Sequence, residues 1–198
     1  MVMNATDQGE VRLTGENPVM RIHTDTAKPP STRASLWRIH LSPAGSGHVL
    51  FLISEELTNN EPVTYTDNLS MCRWLQGEII NQRWAPFNDP ALPANYATFS
   101  REGDATTFVK ETIAGRDDEI TLTWYDLMEP FNIQQAPNLD QGQRHGHYAL
   151  FIPARRIHVT RNGKVAPGAP VPQERDGRPM TSCFLAWAET WVRVPEPA

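Results

Sequence analysis

Two carboxylates occur within rows of tryptophan and other apolar residues, and this pattern is the clearest indication of chemistry in the chain. Glu189 lies between Trp187 and Trp191 in the strand-like run TSCFLAWAETWVRV near the C-terminus. Asp126 follows Trp124 by two residues in another strand-like run. Burial away from cations raises the pKa of a carboxyl group, because desolvation disfavours its charged form. The sequence therefore predicts that Glu189 or Asp126 is a general acid or base that works near neutral pH.

The alternative for both carboxylates is a structural ion pair with an arginine. Arg155, Arg156 and Arg193 are the available partners in the neighbouring predicted strands. A carboxylate that is paired in this way stays charged and has no catalytic role.

A His-Gly-His sequence supplies the second group of candidates. His145 and His147 fall on one side of a predicted strand, and neutral imidazole is a common ligand of zinc and iron. His158 becomes a third ligand if a bulge at Pro153 corrects its position in the alternation. In the interpretation without a metal, His147 is a polar partner of the acid or base, together with Tyr125. Histidines with no functional role at the strand edge are a further alternative.

The aromatic residues indicate what the site would bind. Six tryptophans in 198 residues could pack the core, or they could form a flat apolar pocket for an aromatic molecule. We predict Trp124, Trp187, Trp191 and Arg156 as ligand-binding residues. The expected partner is a small apolar or aromatic molecule.

These residues predict a cofactor-free lyase, isomerase or hydratase that works by proton transfer, with Asp126, Glu189, His147 and Tyr125 as catalytic residues. No cofactor is expected, since the sequence contains no phosphate-binding loop and no GxGxxG, GxSxG or HExxH motif. The first alternative is a carrier that binds the same ligand without turnover. The second is a metal-dependent enzyme built on His145, His147 and His158.

Most of the elements that position these residues are predicted strands. Alternation of side chains indicates strands at 36–41, 48–55, 62–66, 97–101, 106–113, 119–128, 147–152, 155–161 and 181–194. One helix is predicted over about 68–81, from an apolar stripe at three- and four-residue spacing, with Thr66 or Asp67 as its N-cap. Asn162-Gly163 is a strong hairpin-turn signal. The segments 130–143 and 164–179 are predicted to be long loops over one end of the sheet.

Strands that are apolar on both faces favour a mainly β fold. We expect an antiparallel lipocalin-like (calycin-type) barrel, or a strongly curved sheet, that encloses the ligand and carries one inserted helix. An α+β cone with a curved sheet is the alternative. The expected organisation is a flexible arm over residues 1–20 followed by a single barrel-like domain over residues 21–198.

Composition narrows the class of partner. The net charge of −5, without a basic cluster, argues against nucleic-acid binding. No run approaches the roughly 18 apolar residues of a membrane span. Cys72 and Cys183 form no metal or redox motif, and the sequence shows no secretory signal, so a reducing, cytoplasmic location is expected. A homodimer is left open.

Overall fold

The computed structural model describes residues 10–138 and 143–193, apart from the side chain of Gln82. The strands are β1 (Glu10–Glu16), β2 (Val19–His23), β3 (Thr32–Leu41), β4 (Gly47–Ser54), β5 (Val63–Thr66), β6 (Ala94–Asp104), β7 (Phe108–Gly115), β8 (Glu119–Leu127), β9 (Phe131–Gln135), β10 (His145–Arg161), β11 (Lys164–Val165), β12 (Ala169–Pro170), β13 (Pro172–Arg175), β14 (Arg178–Thr181) and β15 (Phe184–Arg193). The helices are α1 (Glu55–Thr58) and α2 (Leu69–Glu78), with 3₁₀ turns η1 (Ile80–Gln82) and η2 (Ala85–Phe87). Strands make up 60% of the structure and helices 11%, which confirms the prediction of a mainly β fold.

The main sheet closes into a ring of strands. Its order runs β10-β8-β7-β6-β5-β4-β3-β1-β15, and β15 pairs in turn with β10. The long strand β10 makes this closure, because its first half pairs with β15 and β9 and its second half pairs with β8 and β11. Every pairing in the ring is antiparallel except β5 with β6. The sheet is therefore mixed, although the hairpins alone predict an antiparallel one.

The helix explains the parallel pair. Parallel neighbours cannot be joined by a tight turn and need a crossover connection. The chain between β5 and β6 provides this connection through α2, η1 and η2. The helix predicted over about 68–81 is confirmed, but it is shorter and continues as a 3₁₀ turn. Its N-cap is Asn68, whose side chain accepts a hydrogen bond from the backbone N–H of Met71 at 3.1 Å.

Side chains fill the interior of the ring. One hydrophobic cluster draws buried residues from strands all around it, including Leu36, Leu50, Val109, Trp124 and Leu185. A second cluster lies on the opposite face of β3 and β4, where α2 and the 3₁₀ turns cover Trp37, Val49 and Phe51. The fold thus has a packed interior and a second core outside the ring.

The N-terminal region differs from the flexible arm expected over residues 1–20. Residues 1–9 lie outside the described part of the chain, but Glu10–Glu16 forms β1 between β3 and β15. Gly15 permits this close approach, because a Cβ atom there would lie 2.2 Å from the carbonyl oxygen of Arg38. The alternation of Val11 and Leu13 is the signal of this strand.

The two long predicted loops contain short strands. The segment 130–143 carries β9, which pairs with β10, and its residues 139–142 lie outside the described part of the chain. The segment 164–179 carries β11, β12 and the beginning of the separate β13–β14 hairpin. The Asn162-Gly163 turn joins β10 to β11, with positive φ at both residues, as a type I′ hairpin turn requires. Within the described ranges, no helix has the length and hydrophobicity needed to cross a membrane.

Candidate functional site

A pocket of about 580 Å³ lies on the outer face of the ring. Strands β2, β3, β10 and β15 form its floor, the η1–η2 turns form one wall, and the β13–β14 hairpin forms another. Its lining combines aromatic rings with charged and amide side chains, among them Asn17, Arg21, Arg33, Trp37, Arg83, Trp84, Gln135, Gln143, His147, Phe151, Arg175, Phe184, Glu189 and Trp191. The site is therefore outside the filled interior, whereas the sequence predicted a cavity enclosed by the barrel.

A β-bulge on β15 turns Glu189 into this pocket. Strand β10 faces β15 with Tyr148 opposite Thr190 and Leu150 opposite Trp187, so two residues of β15, Ala188 and Glu189, stand where β10 has one. Ala188 has a positive φ of 49°, which side chains other than glycine rarely adopt. The bulge reverses the alternation of side chains along β15. The residues of this strand that were predicted to face inward together are therefore divided between the two faces. Glu189 lies on the pocket face, while Trp187 lies on the interior face.

The carboxyl group of Glu189 is buried and only half satisfied. The residue is 4% exposed, and its Oε1 atom accepts a hydrogen bond of 2.8 Å from the Trp191 indole N–H. Within the described residues, its Oε2 atom has no hydrogen-bond partner. Burial raises the pKa of Glu189 to about 8, against the opposing effects of the Trp191 hydrogen bond and the positive charge of Arg83. Glu189 is therefore mostly protonated at neutral pH, which is the state that a general acid requires.

His147 lies beside Glu189 on the pocket floor. Its ring stacks on Trp191, with ring centroids 4.7 Å apart, and His147 pairs across the strands with Trp191. Burial, with the positive charges of Arg83 and Arg175, lowers the pKa of His147 to about 3. The ring is thus neutral at physiological pH. Its buried Nδ1 atom has no hydrogen-bond partner among the described residues, so it is available to a ligand.

Four arginines, which we call the pocket arginines, also line the site: Arg21, Arg33, Arg83 and Arg175. Three of them are placed over aromatic rings, namely Arg33 over Trp84 at 4.4 Å, Arg83 over Trp191 at 4.4 Å and Arg175 over Phe151 at 5.3 Å. Within the described ranges, the sole ion pair of this group joins Arg175 to its neighbour Asp176, at 4.0 Å. The pocket lining thus holds four arginines against two acidic residues, Glu174 and the mostly protonated Glu189, in a chain whose net charge is −5.

Three other predicted site residues lie away from the pocket. Asp126 is on the surface, with its side chain 41% exposed and paired to Arg155 at 3.5 Å and Arg156 at 3.6 Å. A positive φ of 55° at Asp126 breaks the alternation that suggested burial. Tyr125 carries Arg156 over its ring and donates a hydrogen bond to the Ile157 carbonyl. The structural ion pair, which was the alternative for both carboxylates, thus describes Asp126 and not Glu189.

The three predicted tryptophans have different environments. Trp124 is fully buried in the ring interior, where its indole N–H donates to the Val19 carbonyl at 3.2 Å. Trp187 packs against the interior cluster, with Arg101 over its ring at 5.5 Å. Trp191 alone of the three lines the pocket.

The three histidines proposed as metal ligands are not brought together. The Nε2 atom of His145 bonds to a Glu78 carboxylate oxygen at 3.0 Å, and burial lowers the pKa of His145. His158 is exposed in the half of β10 that pairs with β8. Across residues 10–138 and 143–193, no group of three or more His, Cys, Asp or Glu side chains could hold a metal ion.

The pocket arginines, and with them Trp37 and Trp84, were not predicted from the sequence as site residues. They come from separate segments of the chain, and a close approach between them depends on the path of β2, β3 and the η1–η2 turns. The one local signal is the pairing of basic and aromatic residues, as in Arg83-Trp84, which is too common to identify a site. No family model, curated protein or solved structure matches the chain.

Proposed function

We propose that the protein is a cofactor-free enzyme that transfers a proton to or from a small ligand with an aromatic or apolar body, and that Glu189 is its acid–base residue. The observation that carries this proposal is the Oε2 atom of Glu189. It belongs to a buried carboxyl group on a pocket floor, and it has no hydrogen-bond partner among the described residues. In a purely structural role, the Oε2 atom would carry the cost of burial without a hydrogen bond of its own, and only Oε1 would be compensated, by Trp191.

The surroundings of Glu189 suit a group that changes its charge during a reaction. With a pKa raised to about 8, the protonated carboxyl group can donate from Oε2 to a ligand atom. The carboxylate that forms keeps the Trp191 hydrogen bond and is stabilised by the nearby charge of Arg83. It then recovers a proton from the product or from water. The neutral His147, through Nδ1, can hold a polar group of the same ligand.

The ligand would lie against the outer face of the ring rather than in a lipocalin-like interior. Trp37, Trp191 and Phe184 offer it apolar surface on the pocket floor. Lyase, isomerase and hydratase chemistry all need one group that gives and takes a proton near neutral pH, and Glu189 fits this requirement.

Exchange of hydrogen for deuterium tests the proposal without knowledge of the full reaction. Purified protein is incubated in D₂O with a panel of arylacetaldehydes, aryl alkyl ketones and aryl enones that carry a γ C–H, all of which have an acidic C–H, and deuterium incorporation is followed by mass spectrometry. We expect Glu189→Gln to lower the exchange rate by about 10²- to 10⁴-fold, the usual contribution of a positioned acid or base. The amide oxygen of the introduced glutamine can still accept the Trp191 hydrogen bond, so the fold should be retained.

Asp126→Asn is the matched control, since it changes a carboxylate that lies outside the pocket. Its exchange rate should equal that of the wild type. Equal rates for Glu189→Gln and the wild type, on any compound that the wild type exchanges, would remove Glu189 from the mechanism. Binding of the panel without exchange would instead favour the carrier function, which uses the same pocket.

A further inference from the structure

Two of the pocket arginines, Arg21 and Arg33, are placed where their charges repel each other. Arg21 and Arg33 are directly opposite each other on the antiparallel strands β2 and β3. Like charges at such paired positions destabilise a sheet. Partial desolvation lowers the pKa of both groups, although Arg21 as a whole residue is exposed and Arg33 is half-buried, and the charge of Arg21 lowers that of Arg33 further. Neither guanidinium forms an ion pair with any carboxylate in the described ranges.

Aromatic contacts hold two of the pocket arginines, Arg33 and Arg83. A guanidinium that lies over a ring uses its flat face for this contact, while its N–H groups project outward in the plane. The guanidinium carbon lies 4.4 Å from the ring centroid both for Arg33 over Trp84 and for Arg83 over Trp191. An ion pair with a carboxylate would have occupied the same N–H groups.

We propose that the pocket is a receptor for an oxyanion carried by an aromatic or apolar molecule, and that the pocket arginines bind the anionic group. This inference rests on the proposed function in one respect, since it names the substrate class of the same site. Several guanidinium groups around one cavity match a phosphate, sulfonate or carboxylate, each of which has several acceptor oxygens. A neutral, protonated Glu189 on the floor does not repel such a ligand, and it can donate a hydrogen bond to it.

The placement of the arginines indicates where the anionic group lies. Arg21 and Arg33 project from the sheet, Arg83 lies between the two 3₁₀ turns, and Arg175 ends β13. The charge of Arg175 lowers the pKa of both Arg21 and Arg83, after the larger effect of burial, so the groups from three different walls share one region. An anion there would contact arginines on several sides, while its apolar part reaches the aromatic floor.

Calorimetric titration of the full chain tests the inference with phenyl phosphate, benzoate, benzyl alcohol and inorganic phosphate. We expect phenyl phosphate or benzoate to bind at least about 10-fold more tightly than benzyl alcohol, because charge-assisted hydrogen bonds are the strong ones. The first two compounds distinguish a phosphate from a carboxylate ligand. Inorganic phosphate shows how much the aromatic body contributes.

Arg33→Met and Arg21→Met are the informative variants, with Arg156→Met as the control outside the pocket. Each pocket variant should weaken binding of the aromatic anion about 10-fold or more and leave benzyl alcohol binding unchanged. Each should also raise the urea midpoint of the ligand-free protein, because it relieves the repulsion between the paired arginines. A purely structural arginine would show a lowered midpoint instead.

Three results would overturn the inference: equal affinity for phenyl phosphate, benzoate and benzyl alcohol; unchanged binding of the aromatic anion in both pocket variants; or no binding of either anion at millimolar concentration. None of these results depends on turnover. The Glu189→Gln variant should bind the aromatic anion even though it loses proton transfer, so a failure of the proposed function and a failure of the anion receptor are separable.

Discussion

The protonation of Glu189 links the candidate site to the stability of the whole protein. A glutamate in an unfolded chain has a pKa of about 4.3. In the folded protein, burial raises the pKa of Glu189 to about 8. Between these values the folded state holds a proton that the unfolded state has released. Because the folded state binds more protons, its stability falls as pH rises through this window. Below the window both states are protonated, and above it both are charged.

We therefore predict that Glu189→Gln gains stability relative to the wild type as pH rises from about 4.5 to about 8, with a slope that approaches about 1.4 kcal/mol per pH unit. Urea unfolding of both proteins at several pH values in this range measures the difference. The low pKa of His147 changes wild-type stability in the opposite direction below about 6.5, but His147 is common to both proteins and its contribution cancels. A difference that does not vary with pH would show that Glu189 titrates normally.

The two predicted carboxylates show how far residue types alone can identify a site. Glu189 and Asp126 have the same signature in the sequence, a carboxylate in a row that contains tryptophan. One is buried with an unpaired oxygen, and the other forms two exposed ion pairs. The difference depends on which face of the sheet each residue occupies and on arginines from neighbouring strands. The pocket arginines were missed for the same reason, since their meeting is a property of the fold.

At the scale of the element, the bulge at Ala188 decides which residues of β15 enter the pocket. The sequence predicted a strand at 181–194, and the structure has β15 over Phe184–Arg193, with Thr181 at the end of β14 and residue 194 outside the described part of the chain. Strict alternation, however, placed Trp187 and Glu189 on one face. A bulge shifts that alternation by one residue. The positive φ of Ala188 could not be predicted from the sequence, because alanine rarely adopts it. A glycine at the same position would have suggested a bulge.

Substitution of Ala188 tests this account of the strand. Ala188 is exposed, so changes there act on the backbone and not on packing. Glycine adopts positive φ without steric cost, and we predict that Ala188→Gly is neutral or stabilises the protein by up to about 1 kcal/mol. Ala188→Val should destabilise it by about 1–3 kcal/mol, because a β-branched side chain is poorly accommodated in this conformation.

Ala186 provides the control for these variants, since it lies in the same strand and its φ is not positive. Ala186→Gly should lose at least about 0.5–1 kcal/mol, because glycine has its ordinary cost in a strand and the variant also removes the buried methyl group of Ala186. Chemical denaturation of the three variants gives the comparison. If Ala188→Gly destabilised the protein as much as Ala186→Gly, the positive φ would carry no strain and the bulge would need another explanation.

At the scale of the whole molecule, the sequence predicted the mainly β class and the helix, but it left a closed barrel and a strongly curved sheet as alternatives and did not identify the strands that close the ring. Alternation and helical spacing are local patterns, so they survive in a single sequence. The β10–β15 closure and the parallel β5–β6 pair join segments far apart in the chain. The filled interior also could not be predicted from the hydrophobic pattern of the strands. Strands that are apolar on both faces are compatible either with an enclosed cavity or with two separate cores. The structure has the second arrangement, which moves the pocket outside the ring.

A charged network inside the ring links neighbouring strands and also connects β7 to β3 and β6 to β1, which are not neighbours. Glu111 on β7 is fully buried, and its carboxylate accepts hydrogen bonds from Arg38 on β3 at 2.7 Å and from Arg101 on β6 at 2.6 Å. Arg101 also pairs with Glu16 on β1. On the other side, Arg38 donates to Nε2 of His48, whose other ring nitrogen bonds to an Asp67 oxygen. Both nitrogens of His48 therefore have partners within the network.

Replacement of the central carboxylate should therefore destabilise the whole ring. Glu111→Gln leaves Arg38 and Arg101 without their shared counter-charge in a partly buried position, and we predict a loss of about 3 kcal/mol in the free energy of unfolding. Asp126→Asn breaks two exposed pairs and places a residue that tolerates positive φ, so it should change stability by less than about 1 kcal/mol. Urea denaturation at neutral pH measures both. A Glu111→Gln effect no larger than that of Asp126→Asn would mean that the network does not stabilise the ring.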